Sequence, residues 1–512
     1  MRAEQKANVK NSVGRLILAA LSFLIQITWM VFLMIKVNSY STVISMIGSL
    51  LALLVVLYIY GTGSNAAFKM PWIILILAFP VLGLCIYGLF GTPSATRKMR
   101  ERFNAIDEQL SEFLKQDEAV LKKLEQEDFT VANEARYIAE YGPYPVFQNT
   151  DIQFYDNAAD SFEAQLQDIA KAEHFIFMEY HAIEEAEAFL RLKDALAERA
   201  AHGVEVRLFY DDVGSIGFIN TDFIKRMEQA GINCRVFNPV MVFFNIFMNN
   251  RDHRKITVID GKVGFTGGYN LANEYFNLTH PYGYWKDTGI RLEGDAVRNM
   301  TLMFLEMWNA MKKTDMDIPK YLPKVDYVAK EQAFIQPYAD RPLDSEYLAE
   351  NVYLNLIKSA KHRFYATTPY LIISDEMNRE LGLAAKRGVD VRIVTPAIPD
   401  KKLIFQVTRS YYGDLVKQGV RIYEYTPGFM HAKQTVTDGV TATVGSINFD
   451  YRSLYHHFEN GALLYQCEAI AEIEKDFANI FEASEEVTEQ YRNNKRALRF
   501  GRNFLRLFAP LL

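Results

Sequence analysis

One motif occurs twice in the sequence, and this repeat constrains the fold more than any other feature. The stretch HRKITVIDGKVGFTGGYN begins at His253, and HAKQTVTDGVTATVGSIN begins at His431, 178 positions later. Both place His, Lys, Asp, a Gly, a small residue and Asn at the same relative offsets. Residue frequencies give one such His-Lys-Asp pattern in roughly a few per cent of chains of this length. Two copies therefore predict two similar halves.

The surroundings of the motif support a duplicated fold. In each half an amphipathic helix precedes an apolar strand, and a second helix ends at a glycine, Gly203 or Gly388, before the next strand. Strand–helix–strand order predicts parallel strands with helices packed against them. We therefore predict an α/β fold with two similar domains, each a mixed, largely parallel sheet flanked by helices. Together they form one pseudo-twofold catalytic unit.

Three apolar runs without charged side chains occupy residues 16–35, 43–60 and 71–90. Their lengths match what an α-helix needs to cross a bilayer core of roughly 30 Å, so we predict N-terminal transmembrane helices. Basic residues lie before the first run and after the third. The positive-inside rule puts both flanks on the cytoplasmic side, which three full crossings do not allow. The sequence leaves open whether one run is re-entrant.

Composition and breaks in pattern divide the chain further. We predict a membrane anchor at 1–96, an amphipathic helical linker at 97–140, a first domain at 141–315, a linker at 316–330, a second domain at 331–490 and a basic amphipathic interfacial tail at 491–512. The apolar stretch VMVFFNIFMNN from Val240 fits either a buried strand or a loop that touches lipid. The net charge is −6, whereas nucleic-acid binders usually carry a basic balance.

The repeated residues suit attack on phosphorus. Alternation along a strand places the His and the Lys of each copy on one face. A phosphodiester is anionic, so attack requires positive charge around its oxygens, which Lys side chains, Asn amides and backbone N–H groups supply. One neutral His attacks and forms a phospho-His intermediate, while the other donates a proton to the leaving alkoxide. We predict no metal and no other cofactor, since the lysines take the place of a metal.

The candidate residues fall into two groups. The catalytic candidates are His253, Lys255, Asp260, His431, Lys433 and Asp438, and the phosphate-binding or orienting candidates are Asn270, Asn448, Gly267, Gly268, Ser446, Asp287 and Glu459. Each imidazole needs an acid that holds its tautomer. Glu459 lies 28 residues after His431, and Asp287 lies 34 residues after His253. We assign both acids as imidazole partners.

Two further pairs in the sequence fit structural roles. Asp260 and Asp438 follow the motif strands, where an aspartate anchors the next turn. His456 and His457 lie just before Glu459, and we interpret them as residues on the surface of a strand.

With these residues in place, the chain resembles the phospholipase D superfamily, whose mark is the duplicated His-Lys-Asp motif, over about residues 140–490. The stretches FYDDVGS, NRDHRKITVIDGKVGFTGGYNLANEY, WKDTGIRLEG and TPYLI resemble the bacterial cardiolipin synthases within it. The resemblance implies transfer of a phosphatidyl group from one phosphatidylglycerol to another, with release of glycerol. It implies His253 as nucleophile and His431 as general acid/base, an order that the sequence leaves open.

The resemblance also implies a bacterial membrane location and lipid partners, while leaving the oligomeric state open. In one place the chain departs from the family, which usually has Asn-Phe-Glu where His457, Phe458 and Glu459 stand. The alternatives are a phospholipase D that hydrolyses the intermediate and a transferase to another alcohol such as serine. A nuclease is disfavoured by the apolar runs and the acidic balance. Both motifs are intact, which argues against an inactive membrane scaffold.

Overall fold

The computed structural model describes residues 42–63, 65–91, 94–240, 250–315 and 317–492, with scattered positions between 14 and 32 and at 506 and 509. Half of the first apolar run, the centre of the VMVFFNIFMNN stretch and most of the C-terminal tail therefore lie outside the described residues. The first described helices are α1 (Thr42–Gly61), α2 (Ala66–Ala78) and α3 (Pro80–Phe90). Within the described part of the chain, no helix is both long and apolar enough for a membrane span.

Helices α2 and α3 form a tight hairpin rather than one continuous helix over 71–90. Phe79 leaves the helical conformation, with φ −137° and ψ 76°, and Pro80 begins the next helix. The rings of Trp72 and Tyr87 meet at 5.3 Å between centroids. Gly83 permits the close crossing, because a Cβ there would lie 2.6 Å from the Ile76 Cα.

The base of this hairpin is fixed to the second half of the chain. The Asn65 side chain accepts a hydrogen bond from the Ala67 N–H at 2.9 Å and donates one to the Tyr455 hydroxyl at 3.2 Å. The Phe68 ring packs edge-on against the rings of Tyr455 and His456, each 5.1 Å away between centroids. The hairpin therefore has a defined position relative to the globular part.

Residues 94–141 form three helices, where the sequence predicts one amphipathic linker. They are α4 (Ser94–Leu110), α5 (Glu118–Glu127) and α6 (Phe129–Tyr141). The predicted apolar face is buried, and the Phe103 ring stacks on the Phe458 ring at 5.2 Å. Asp128 caps α6 by accepting hydrogen bonds from the N–H groups of Thr130 and Val131.

The first half of the globular part contains one mixed sheet and two short strands outside it, each of which pairs with a strand of the second half. Its strands are β1 (Thr150–Tyr155), β2 (Phe175–Tyr180), β3 (Glu205–Asp211), β4 (Asn233–Phe237), β5 (Arg251–Asp252), β6 (Lys255–Ile259), β7 (Val263–Gly267), β8 (Tyr284–Lys286) and β9 (Gly289–Gly294). The order in the sheet is β1-β9-β7-β6-β2-β3-β4. Its helices are α7 (Ala158–Ile169), α8 (Glu187–Ala201), α9 (Asp212–Ser215), α10 (Phe223–Gln229) and α11 (Val297–Met311).

The second half repeats this arrangement. Its strands are β10 (Phe334–Asp340), β11 (Arg363–Thr367), β12 (Asp390–Pro396), β13 (Arg421–Tyr425), β14 (Gly428–Met430), β15 (Gln434–Thr437), β16 (Thr441–Gly445), β17 (His457–Tyr465) and β18 (Ser484–Glu486). The sheet order is β10-β17-β16-β15-β11-β12-β13-β18. Its helices are α12 (Leu348–Ser359), α13 (Asp375–Lys386), α14 (Lys402–Lys417), α15 (Tyr451–Tyr455), α16 (Glu468–Glu482) and α17 (Thr488–Arg492).

Both sheets are mixed, as expected, but they are not largely parallel. Among the described strands of these two sheets, parallel pairing is confined to β2–β3–β4 in the first, and to β11–β12–β13 and the short β5–β17 ladder in the second. The repeated motif itself forms an antiparallel hairpin, β6–β7 or β15–β16. An Asp-Gly turn closes each hairpin, a dipeptide that favours tight turns with positive φ. The prediction of largely parallel sheets was wrong because it missed this turn signal.

Asp260 and Asp438 hold these turns in place. Asp260 and Asp438 have φ of 52° and 56°. The Asp438 carboxylate accepts hydrogen bonds at 2.8 Å from three consecutive backbone N–H groups, at residues 361–363. Asp260 accepts the equivalent three bonds from residues 173–175, also at 2.8 Å. Each aspartate therefore joins the motif hairpin to the start of the neighbouring strand.

Helix α11 packs between the two sheets, contacting β6 on one side and β10 on the other. Residues 299–310 of this helix are all buried, including the polar side chains of Asn299, Glu306 and Asn309. The Asn299 amide donates hydrogen bonds to the carbonyls of Pro145 and Pro337 at 3.0 and 2.8 Å. One hydrophobic core runs through both halves, so their relative position is set by packing.

We expect Asp438→Ala to destabilise the fold, because it removes the acceptor of three amide hydrogen bonds. Bonds to a charged acceptor stabilise by more than neutral ones, so the loss should reach about 2 kcal/mol. Chemical denaturation of the purified protein measures it, with Asp326→Ala, at an exposed linker position, as the control. Equal stability of the two variants would contradict the anchoring role.

Candidate active site

The first motif is built onto the second half of the chain. Strand β5 runs parallel to β17, with Arg251 opposite His457 and Asp252 opposite Phe458. The N–H of His253 donates to the Phe458 carbonyl at 2.8 Å. This pairing places His253 next to the strand that carries Glu459.

The second motif makes the reciprocal arrangement. Strand β14 runs parallel to β8, with Met430 opposite Lys286. The N–H of His431 donates to the Lys286 carbonyl at 2.8 Å. This pairing places His431 next to Asp287, which follows β8 directly. The two short cross-half ladders are thus equivalent, since each pairs the strand before a motif histidine with a strand of the other half.

Each imidazole takes its acid from the opposite half. Nδ1 of His253 lies 2.8 and 2.9 Å from the two carboxylate oxygens of Glu459. Nδ1 of His431 lies 2.6 Å from Oδ2 of Asp287. Both acids do contact imidazoles, but chain order suggests the wrong pairing, because each acid lies closer in sequence to the His of its own half. The exchange follows from the cross-half ladders.

The small residue near the end of each motif adjoins the acid of its own half. Gly268 leaves room for Asp287, since a Cβ there would lie 2.1 Å from Oδ1 of that carboxylate. At the equivalent position, the Ser446 hydroxyl donates a hydrogen bond to Oε2 of Glu459 at 2.5 Å. The Gly–small pair therefore supports the orienting acids. Gly267 permits close approach to the next strand, because a Cβ there would lie 2.4 Å from the Thr288 carbonyl oxygen.

Lys255 and Lys433 are buried within the same site. The ammonium of Lys255 donates to the His253 carbonyl at 2.5 Å, and that of Lys433 donates to the His431 carbonyl. Burial lowers the pKa of Lys255 to about 8 and that of Lys433 to about 7. A bound phosphate would favour the charged form of both, so these lysines suit an anionic ligand.

Both imidazoles are neutral at pH 7 in the unliganded site. Burial, together with nearby Lys433, lowers the pKa of His431 to about 4. Burial and the positive charge of Lys255 hold the pKa of His253 well below its usual value, with smaller contributions from Lys433 and His431. These mutual effects place the two motifs in one electrostatic environment. A neutral imidazole with Nδ1–H given to a carboxylate presents Nε2 as a nucleophile or base.

The two imidazoles have different neighbours. Aromatic rings surround His431, with centroids 5.3 Å away at Tyr275, 5.2 Å at Trp285 and 5.7 Å at Phe429. Around His253 lie two more imidazoles, His181 at 4.9 Å and His457 at 5.4 Å. The site is therefore pseudo-symmetric in its backbone and asymmetric in its walls.

His457 is not on the surface of a strand, which corrects the expectation from its sequence context. It is 9 % exposed, and its ring lies beside those of His253 and His181 in the site. His456 is half-buried and packs against Phe68 of the hairpin. His456 caps helix α15 and lies one residue before β17, so the two neighbouring rings have different surroundings.

The two motif asparagines occupy different surroundings. The Asn270 carbonyl accepts from the Ala182 N–H at 3.2 Å, and its amide donates to the Tyr275 hydroxyl at 2.9 Å. Asn270 therefore braces the wall beside His431. The side-chain oxygen of Asn448 is buried without a hydrogen-bond partner among the described residues.

Sequence reasoning missed Asn460, which connects the halves beside the site. Its side-chain oxygen accepts from the Lys255 N–H at 3.1 Å, and its amide donates to the Thr266 hydroxyl at 2.7 Å. Its position directly after Glu459 was the available signal. The buried Arg251–Asp211 ion pair, at 2.8 Å, was also missed although both residues lie in the quoted family stretches.

Comparison with known proteins agrees with this geometry. The family described as "Cardiolipin synthase, PLD-like domain" matches residues 166–308 and 353–481, one segment in each half. Among curated relatives, the "Cardiolipin synthase" of Geobacillus kaustophilus is 34% identical, over 86% of this chain and 88% of its own length. The "Cardiolipin synthase 2" of Bacillus anthracis is 32% identical, over 86% of each chain. An uncharacterised protein of Streptococcus mutans is 38% identical over 89% of this chain and 99% of its own.

The fold also matches a solved structure. A phosphatidylserine synthase from Haemophilus influenzae aligns with a TM-score of 0.55 and 15% identity, covering 74% of this chain and 99% of its own. At this identity the likeness concerns the fold alone. The match of both halves and the relatives that extend over most of the chain confirm the resemblance read from the duplicated motif. The chain belongs to the cardiolipin synthase family of phospholipase D-like proteins.

Proposed function

We propose that this protein is a phosphatidyltransferase that makes cardiolipin from two molecules of phosphatidylglycerol. The observation that carries the proposal is that each imidazole is hydrogen-bonded to an acid of the opposite half, His253 to Glu459 and His431 to Asp287. It assembles two oriented imidazoles and two buried lysines from the two halves in one site. Family membership gives the substrate class, a phospholipid.

The reaction divides into two steps with one covalent intermediate. Nε2 of His253 attacks the phosphorus of the first phosphatidylglycerol, and the bond from phosphorus to the glycerol headgroup breaks. The anionic phosphodiester raises the pKa of His431 when it binds, so that Nε2 is protonated and gives this proton to the departing glycerol oxygen. The hydroxyl of a second phosphatidylglycerol then attacks the phosphatidyl-His253, returns its proton to His431 and leaves as cardiolipin.

The remaining residues stabilise charge during these steps. Lys255 and Lys433 stabilise the negative charge on the phosphoryl oxygens. In the transition state this charge is spread over these oxygens. Glu459 and Asp287 hold each ring with Nε2 toward the substrate and stabilise the imidazolium when it forms. Asn448 is the remaining candidate for a polar contact with the phosphate.

We further propose that the N-terminal residues attach the enzyme to the bacterial membrane. Large apolar side chains on α1 and on the hairpin are more than half exposed, among them Leu50, Leu54, Leu57, Leu77 and Phe79. Such a surface is costly in water and favours lipid. The hairpin, with helices of 13 and 11 residues, suits the re-entrant arrangement left open by the charge pattern.

Incubation of the purified protein with phosphatidylglycerol alone tests the reaction. We expect cardiolipin and glycerol in equal amounts, measured by lipid chromatography and a glycerol assay. Phosphatidic acid as the main product would instead indicate hydrolysis, and products formed only with added serine would indicate another acceptor. The absence of any turnover would contradict an enzymatic role.

Removal of either imidazole should abolish the reaction. We expect His253→Ala and His431→Ala to lower turnover at least about a thousandfold, as loss of a nucleophile or its acid/base partner does. His456→Ala, which changes a neighbouring imidazole outside the site, is the control. Substantial activity in either site variant would contradict a shared site. Radiolabelled phosphatidyl group retained on denatured His431→Ala protein, and absent from His253→Ala, would support His253 as nucleophile.

The lysines predict how activity depends on pH. Because the pKa is lowered to about 7 for Lys433 and about 8 for Lys255, raising the pH removes their charges and weakens phosphate binding. We expect kcat/KM to fall between pH 7 and pH 9. In Lys433→Arg the charge persists, so the fall should begin about one pH unit higher. Lys262→Arg, at an exposed position, serves as control. If kcat/KM of Lys433→Arg falls at the same pH as that of the wild type, this assignment is contradicted.

Membrane attachment is testable by extraction at alkaline pH. We expect the full-length protein to remain in the membrane pellet after carbonate treatment, because apolar contacts survive when electrostatic ones are removed. Immunoblotting of pellet and supernatant measures the distribution. Complete release would mean that the exposed apolar residues do not enter the bilayer.

A further inference from the structure

Three side chains beside the first motif form a cluster with the donor set of a metal site. His253, His457 and Glu459 each offer a ligand atom, and these atoms lie within 4.8 Å of one another. All three residues are buried. The mechanism proposed above uses His253 and Glu459 but leaves His457 without a role.

His457 lacks the hydrogen bonds that a buried imidazole normally makes. Neither of its ring nitrogens has a hydrogen-bond partner among the described residues. Its Nδ1 lies 3.6 Å from Oε1 of Glu459, which is too long for a hydrogen bond. A buried polar group without a partner requires an explanation, and an absent ligand is one.

The nearby His181 is in a different situation. Its Nδ1 lies 2.6 Å from the Asp252 carbonyl oxygen, so that nitrogen is already engaged. Two imidazoles therefore lie beside His253, and they differ. In His457, both ring nitrogens are without a hydrogen bond to any described residue.

Two imidazoles and one carboxylate make up a ligand set that Zn²⁺ prefers. Zinc binds nitrogen and carboxylate oxygen at about 2.0–2.2 Å and accepts three protein ligands with a fourth position open. Imidazole favours zinc and copper over Mg²⁺ and Ca²⁺, which prefer oxygen ligands. The cluster therefore selects a transition-metal ion.

The distances fit such an ion after a small adjustment. Tetrahedral zinc requires its ligand atoms to be about 3.3–3.5 Å apart, given those bond lengths. Glu459 already lies 2.8 Å from Nδ1 of His253 and 3.6 Å from Nδ1 of His457. Rotation of the His457 ring breaks no hydrogen bond. The positive charge of Lys255 disfavours a bound cation, while the negative charge of the Glu459 carboxylate favours it.

We propose that His253, His457 and Glu459 bind Zn²⁺ and that the bound ion inhibits phosphatidyl transfer. The ion occupies the nucleophilic imidazole and separates it from its orienting acid. The binding site is independent of the reaction catalysed, whereas inhibition rests on the proposed function.

Metal titration of the full-length protein in detergent tests binding directly. We expect Co²⁺ to give the visible absorption of a four-coordinate ion, and Zn²⁺ to displace it and to release heat in calorimetry. In His457→Asn the affinity for Zn²⁺ should fall at least about tenfold, since loss of even an outer-sphere partner has that effect. In the control His456→Asn it should remain at the wild-type value.

Several results of this titration would overturn the site. These are a wild-type protein that binds neither ion, equal affinity in wild type and His457→Asn, or an equal loss in His456→Asn. Thermal unfolding with and without Zn²⁺ checks that His457→Asn is folded, and only the wild type and His456→Asn should gain stability from the metal.

Turnover of phosphatidylglycerol tests inhibition separately. We expect Zn²⁺ to suppress wild-type turnover and EDTA to restore it, while the same concentration of Mg²⁺ has no effect. His457→Asn should need at least about tenfold more Zn²⁺ for half-inhibition, in parallel with its lower affinity. Metal binding without suppression would overturn the inhibitory role. Absence of turnover in metal-free wild type would contradict the proposed function and leave the binding result standing.

Discussion

The exchange of acids between the halves is the interaction on which the site depends. His253 obtains its carboxylate from β17, and His431 obtains its own from the residue after β8. Neither half alone contains an oriented imidazole. Two short parallel ladders bring the exchange about, since each places a motif histidine opposite the strand that leads to the other half's acid.

Burial of charge makes this arrangement costly and useful at once. Two lysines, two acids and three imidazoles of the site are buried, each with less than a tenth of its surface exposed. Desolvation lowers the pKa of the lysines and imidazoles, so the unliganded site carries less positive charge than its composition suggests. An anionic substrate reverses this shift. The common core, with α11 between the sheets, provides the stability that such a site requires.

The duplicated motif predicted the main features of the fold and the site because periodicity and spacing are local properties. Asp287 and Glu459 were found for the same reason. Their pairing was not, because it depends on contacts between strands that are far apart in sequence. His457 was misjudged since its neighbours in the site, among them His181 and His253, are far away in the sequence. The antiparallel motif hairpin could have been predicted, as Asp-Gly between apolar alternations is a known turn signal.

The division of each imidazole–acid pair between the halves also affects biosynthesis. During synthesis, His253 and Lys255 are added about two hundred residues before Glu459. At about 5–20 residues per second, this interval lasts tens of seconds at the slower rates. During that interval the first half folds with a histidine that lacks its carboxylate. An incomplete chain thus lacks an oriented nucleophile, and the site is complete only when β17 is in place.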